Sequence, residues 1–154
     1  MDILVNQSWK VEQTNRDTRV AAVRGRDGFV VVIDRKLKRR VLRDYRDRFS
    51  GDKALYVRMF GAGVFLAIQP LYAKGDRIII DIEYPGHERT IIRHITGLII
   101  RRFRHLPKRD VLFTAVGKRS APHFIARNPE HASKGYIVLG TKERSFLLEA
   151  MNLL

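Results

Sequence analysis

The chain has no cysteine among its 154 residues, which excludes disulfides, thiolate zinc sites and a cysteine nucleophile. It also lacks long apolar runs. Its apolar runs, Val30–Ile33, Ile78–Ile80 and Leu98–Ile100 among them, fall far short of the roughly 18 residues that span a bilayer. Met1–Val5 carries Asp2 and no basic residue, unlike the start of a secretory leader. These absences predict a soluble, cytoplasmic protein with no membrane partner. Negative charge is in deficit too, with 16 Asp and Glu against 30 Lys and Arg and a formal net charge of +14.

The excess is clustered. Residues 35–48 hold eight Lys or Arg against two Asp, and residues 101–119 hold seven against one. Such clusters repel themselves in a folded chain until a polyanion neutralises them, which makes nucleic acid, DNA or RNA, the leading partner class. Phosphate contacts are expected from Arg35, Lys36, Lys38, Arg39, Arg40 and Arg43 in the first stretch. In the second they are expected from Arg101, Arg102, Arg104, Lys108, Arg109, Lys118 and Arg119. Neither an aromatic-interleaved RNA motif nor a recognition-helix signature is present, so the sequence does not choose between DNA and RNA. A competing reading is a homo-oligomeric scaffold whose arginines pair with an acidic protein.

With 45% hydrophobic residues, the length suits one domain with a substantial core. Thr18–Arg24 and Gly28–Asp34 flank Gly25-Arg26-Asp27-Gly28 and read as a β-hairpin. Leu37, Val41, Leu42 and Tyr45 recur at helical spacing through Arg35–Phe49, while Leu37, Val41 and Tyr45 also leave a strand reading open. Ala54–Phe60 reads as a strand broken by Gly61-Ala62-Gly63, and Val64–Ala73 as a short helix containing Pro70. Arg77–Tyr84 reads as a buried strand ending at Pro85-Gly86, and the stripe of Ile91, Ile92, Ile95, Leu98, Ile99 and Phe103 predicts a helix from His87 to Arg104. Val111–Val116 and Tyr136–Leu139 read as strands separated by a polar stretch containing Pro122 and Pro129. Thr141 is the expected N-cap of a last helix that turns Phe146, Leu147, Ala150 and Leu154 inward. Order is not expected of the first few residues. The pattern predicts a single α/β domain, residues 1–154, with a mixed sheet flanked by helices.

Asp81 and Glu83 sit two apart at the end of the isoleucine strand, on one face, where open α/β sheets bind ligands. Two such carboxylates suit Mg²⁺ or Mn²⁺, with phosphate and water completing the shell, and hence phosphodiester cleavage. They equally suit ion pairs with arginine. Glu88 opens the next helix, where an acid complements the helix dipole whether or not it is a ligand. Val116-Gly117-Lys118-Arg119-Ser120 places cations and backbone N–H groups where phosphate can bind, without the spacing of a Walker A loop. His123, just beyond, is a candidate acid or base. Asp34-Arg35-Lys36 after Val31-Val32-Ile33 has the acid-x-Lys form of a nuclease strand, with Asp17 or Asp27 as the only nearby partner acids.

Phe65-Leu66-Ala67-Ile68-Gln69-Pro70-Leu71 leading into Gly75-Asp76-Arg77-Ile78-Ile79-Ile80-Asp81, together with the order of elements, resembles the ribonuclease H-like superfamily. The resemblance implies a metal-binding role for Asp81 at the end of the fourth strand. It also implies that the loop carrying His123 stands where the family has a mobile histidine and a last carboxylate. The family expects an Asp in the first strand and a Glu on the helix before the fourth. Thr18–Arg24, read as the first strand, offers Arg24, and Met59–Ala67 contains no acid. Either Asp34, Glu83 or Glu88 replaces them, giving a nuclease with Asp81, Glu83, Glu88 and His123 as its catalytic groups, or the fold serves as a binding platform.

Overall fold

The computed structural model describes residues 1–105, 107, 110–117 and 119–154. Six strands form one mixed sheet: β1 (Asp2–Ser8), β2 (Thr18–Arg24), β3 (Asp27–Ile33), β4 (Arg77–Asp81), β5 (Val111–Thr114) and β6 (Tyr136–Leu139), in the order β5-β4-β1-β2-β3-β6. Only β2 runs against its neighbours, and the other pairs are parallel. The C-terminal ends of five strands therefore share one edge of the sheet. The β2–β3 hairpin turns at Gly25, whose φ of 61° is left-handed, the conformation a two-residue hairpin turn requires.

Alternate residues of these strands face two different cores. Ile3, Val5, Val20, Ala22, Val31 and Ile33 belong to the larger one, which α1 (Arg35–Tyr45), α2 (Asp52–Ile68), α3 (Glu88–Phe103) and α5 (Arg144–Ala150) complete. On the other face Ala21, Val30 and Val32 meet Ile125 and Ala126 of α4 (Ala121–Arg127). Cover on both faces is what makes Phe29–Ile33 of β3 a continuous apolar run.

One helix, α2, occupies the segment expected to form a strand, a glycine break and a short helix. Met59–Ile68 are all buried, so the segment is apolar on every side, and a helix buried all round has no stripe to reveal its period. Its glycines are close-packing positions. A Cβ at Gly61 would come within 3.0 Å of His94 on α3, and one at Gly63 within 3.0 Å of Val20 on β2. Pro70 lies beyond the helix end.

The N-terminal segment, not expected to be ordered, forms β1, the strand joining β2 to β4. Buried Asn6, Gln7 and Ser8 disguise its alternation. Within the polar stretch, Ser120 caps α4 and Pro122 sits in its first turn, where a missing N–H costs nothing. The strand over 77–84 stops at Asp81 and that over 111–116 at Thr114. A 3₁₀ turn, Thr141–Glu143, precedes α5, so Thr141 is not the cap of the α-helix. That helix buries Leu147, Leu148 and Ala150 but leaves Phe146 and Leu154 exposed. The α3 expectation holds, with Ile91, Ile95, Leu98 and Ile99 inward.

Asp76 pins the far edge of the sheet. Only 2% exposed, it accepts from Arg24 at 2.7 and 3.2 Å, from the Ala73 N–H at 2.9 Å and from the Met1 amino group at 3.1 Å. Burial works to raise its pKa, but these donors hold it below the usual carboxylate value. Asp76→Ala should cost about 3 kcal/mol in urea denaturation, the lower end for breaking a buried pair, because Arg24 is left partly solvated.

Candidate nucleic-acid interface

The edge where five strands end gathers most of the polar groups singled out in the sequence. Helix α1 starts there, directly after β3, with Asp34 accepting from the Lys36 N–H as its N-cap. The helix buries Leu37, Val41 and Leu42 and turns Arg35, Lys36, Arg39, Arg40 and Arg43 to solvent. The Arg39 guanidinium donates to the Thr14 carbonyl at 2.9 Å. Arg35 lies 3.8 Å from Asp17, and Arg43 3.3 Å from Asp44. Exposed pairs of this kind contribute about 0–1 kcal/mol, too little to withhold these cations from a phosphate.

Lys38 is a correction. It is fully buried, and its ammonium donates to the Gln13 carbonyl and to Thr18 Oγ1, each at 2.9 Å. Burial lowers its pKa to about 8, with Asp17 and Glu12 opposing that shift. It ties α1 to the segment between β1 and β2 and has no surface to offer a phosphate. Hydrophobic periodicity places it beside Leu37, and charge alone concealed its role.

The second basic stretch does not form one surface with the first. Because β4 and β5 are parallel, α3 runs back across the sheet, and the exposed Arg101, Arg102 and Arg104 lie at the opposite end from α1. Arg119 returns to the α1 end beside α4, where it shares a hollow of 520 Å³ with Ser120, His123 and Arg127. Lys108, Arg109 and Lys118 lie outside the described residues.

The carboxylate pair is assembled. Asp81 ends β4 and accepts from the Val116 N–H at 2.8 Å, which anchors the loop after β5. Burial, and then contact with Asp81, raise the Glu83 pKa to about 7, with Gln7 and Lys10 opposing. One position past the Val5–Ile80 pair stands Asn6, which accepts from the Gln7 N–H at 2.8 Å and donates to the Gly117 carbonyl at 3.4 Å. Gln7 is 5% exposed, and its Oε1 has no hydrogen-bond partner among the described residues. Tyr84, stacked on Phe60, donates to Glu12 at 3.0 Å, and Glu12 in turn meets Lys53 at 3.4 Å.

Glu88 lies in the first turn of α3 and His123 in the first turn of α4. Neither side chain is bonded or ion-paired to Asp81 or Glu83 among the described residues. No group of three or more metal-ligating side chains occurs among the described residues. Asp81 and Glu83 fit one hydrated Mg²⁺ or Mn²⁺ held weakly, with Gln7 Oε1 as a further oxygen nearby. They do not fit a pair of ions, which needs more carboxylates than this edge holds.

Comparison of the chain with protein-family models, curated proteins and solved structures gives no match. No helix among the described residues is long and apolar enough to cross a membrane.

A folded-state pKa raised from 4.5 to about 7 means that Glu83 contributes stability fully below pH 4.5 and loses it as the pH rises through 7. Glu83→Gln should therefore match the parent chain in thermal melts near pH 4 and melt higher at pH 8. Added Mg²⁺ should narrow that gap if an ion bridges the pair.

Proposed function

We propose that this protein is a nucleic-acid-binding domain of ribonuclease H-like architecture, possessing the platform of that fold without its full set of catalytic carboxylates. The observation that carries the reading is α1. Its five exposed cations lie along the sheet edge where the strands end, and Lys36, Arg39 and Arg40 have no acidic partner among the described residues. Phosphate contacts from such a row fix position without reading sequence.

The architectural part rests on the order of elements. Helix α2, rich in Ala and Leu at its end, leads into the fourth strand, and that strand ends in Asp81. With β1 as the first strand, the place where the family carries an Asp is held by neutral Asn6. The helix before the fourth strand has a single acid, Asp52, at its first position. Both departures favour binding over cleavage. A second reading, a divalent-metal-dependent nuclease using Asp81 with Glu83 or Glu88, draws support from the paired carboxylates and the unpartnered Gln7 oxygen.

Fluorescence anisotropy against DNA and RNA at several salt concentrations tests the first reading. Reversing Lys36, Arg39 and Arg40 to Glu should weaken binding to all sequences alike. It should also flatten the slope of log Kd against log[salt] by about 0.7–0.9 for each phosphate no longer neutralised. Reversal of Arg101, Arg102 and Arg104 at the opposite end should leave affinity unchanged. Lys38→Ala should cost about 1–3 kcal/mol of stability through its orphaned acceptors and should not change the affinity of the folded protein. Equal affinity in the α1 variant would remove this helix from the interface.

For the second reading the measurement is cleavage of single-stranded, duplex, hybrid and branched substrates with Mg²⁺ or Mn²⁺. Asp81→Asn should abolish any such cleavage while leaving binding intact or slightly tighter, since one repelling carboxylate is gone. Absence of cleavage in the parent chain leaves the platform alone.

A further inference from the structure

The chain has one tryptophan, and it is not in the core. Trp9 follows the last residue of β1 with 40% of its surface exposed and a φ of 64°. Left-handed backbone at a bulky aromatic is uncommon and carries strain. Here it turns the indole out at the edge that α1 lines. The Arg16 guanidinium stands 4.1 Å from the ring centroid, and the two residues line a hollow of 270 Å³ with Asn15, Asp17, Arg19 and Arg35.

That hollow is unbalanced in charge and in hydrogen bonding. Three arginines face one carboxylate, and Asp17 is engaged by Arg35, through its N–H at 2.9 Å and its guanidinium at 3.8 Å. Arg16 and Arg19 have no acidic partner among the described residues. Arg19 donates from Nη1 to the Arg127 carbonyl at 3.2 Å, and its Nε–H has no acceptor among the described residues.

We propose that Trp9 and Arg16 form a stacking platform for one unpaired nucleobase of a single strand, with Arg19 and Arg35 taking the flanking phosphates. The proposal rests on the nucleic-acid reading above and narrows it to single strands. Every base presents a π-face to an aromatic ring, whereas a duplex keeps its bases stacked on one another and offers this site phosphates alone. A guanidinium already set against the indole adds a cation to the same stack.

As the only tryptophan, Trp9 reports on its own site through intrinsic fluorescence. An oligothymidylate of about 15 nucleotides should quench its emission as it binds, and an abasic strand or a duplex of equal length should not. Trp9→Asn, which suits left-handed backbone, should melt no lower than the parent chain. It should bind oligothymidylate about 5- to 100-fold more weakly, the loss expected for one stacked base, with duplex affinity unchanged. Binding without quenching, equal quenching by the abasic strand, or full affinity in Trp9→Asn would overturn the platform and leave the nucleic-acid reading standing. If no single strand, duplex or hybrid binds the parent chain, both fall.

Discussion

The structure depends on β1 being held between an antiparallel and a parallel neighbour. A strand in that place has no free edge, and its faces are covered by helices, so Ile3 and Val5 are lost to solvent altogether. The direction of β1 sets those of β3, β4, β5 and β6 through the pairings that follow. Five strands then end together, and the chain must leave each at the same edge. Asn6, Gln7, Trp9, Asp34, Asp81 and Gly117 come from four strand ends that are distant in sequence and meet there. Polar side chains tolerated inside the strand are found at its exit, where Asn6 and Gln7 bond to each other and to the neighbouring loops.

The distribution of acids explains which cations remain available. Asp76 takes Arg24, Asp2 takes Arg77 in a two-bond fork, and Asp44 lies between Arg43 and Arg144. These pairs fasten the strand starts of β1 and β4 and the approach of α5 to α1. Lys36, Arg39 and Arg40 on the outer side of α1 have no acidic partner among the described residues, and of the three only Arg39 is tied to the fold, through the Thr14 carbonyl. Helix α1 is therefore held mainly by its buried side, through Leu37, Lys38, Val41 and Leu42, and Lys36 and Arg40 are free of the duty of holding the fold. A helix seated in this way keeps its geometry when the outer charges are changed, which separates binding from stability at these positions.

Much of this is legible in the sequence, and the failures have physical causes. The β2–β3 hairpin, β4, α3 and β6 have short-range signals: a turn with Gly25, a run of isoleucines, a stripe at helical spacing. Helix α2 has none, because complete burial erases the amphipathic stripe and its glycines, which read as a break, answer to His94 and Val20 in other elements. Strand β1 is hidden by polar residues whose partners lie far along the chain, in Gly117 and Tyr84. Asp81 and Glu83 do meet, but β4 ends at Asp81, so the chain beyond the strand and not period-two spacing brings Glu83 to it. Charge groups Lys38 with its neighbours, although its spacing from Leu37, Val41 and Leu42 places it on the buried side. Trp9 gives no pattern at all, since its significance comes from Arg16, Arg19 and Arg35 converging on it through the β2 register and the start of α1.

A carboxylate pair on an edge proposed to meet phosphates is an electrostatic contradiction, and the geometry resolves it in part. Asn6, one position past the Val5–Ile80 pair, is uncharged and adds no repulsion beside Asp81. Glu83, desolvated and against Asp81, has its pKa raised to about 7, so it is only partly ionised near neutrality. An approaching polyanion favours the protonated form further, adding like-charge repulsion to the burial and the contact with Asp81 that raise the pKa. Asp81, meanwhile, directs one oxygen to the Val116 N–H and acts as an anchor for the loop that leads to Arg119 and α4. With Glu83 partly protonated, the edge carries less negative charge than two ionised carboxylates would give it. On the reading proposed above this is what lets the edge accept phosphate, and any metal chemistry would depend on an ion displacing the proton that Glu83 retains.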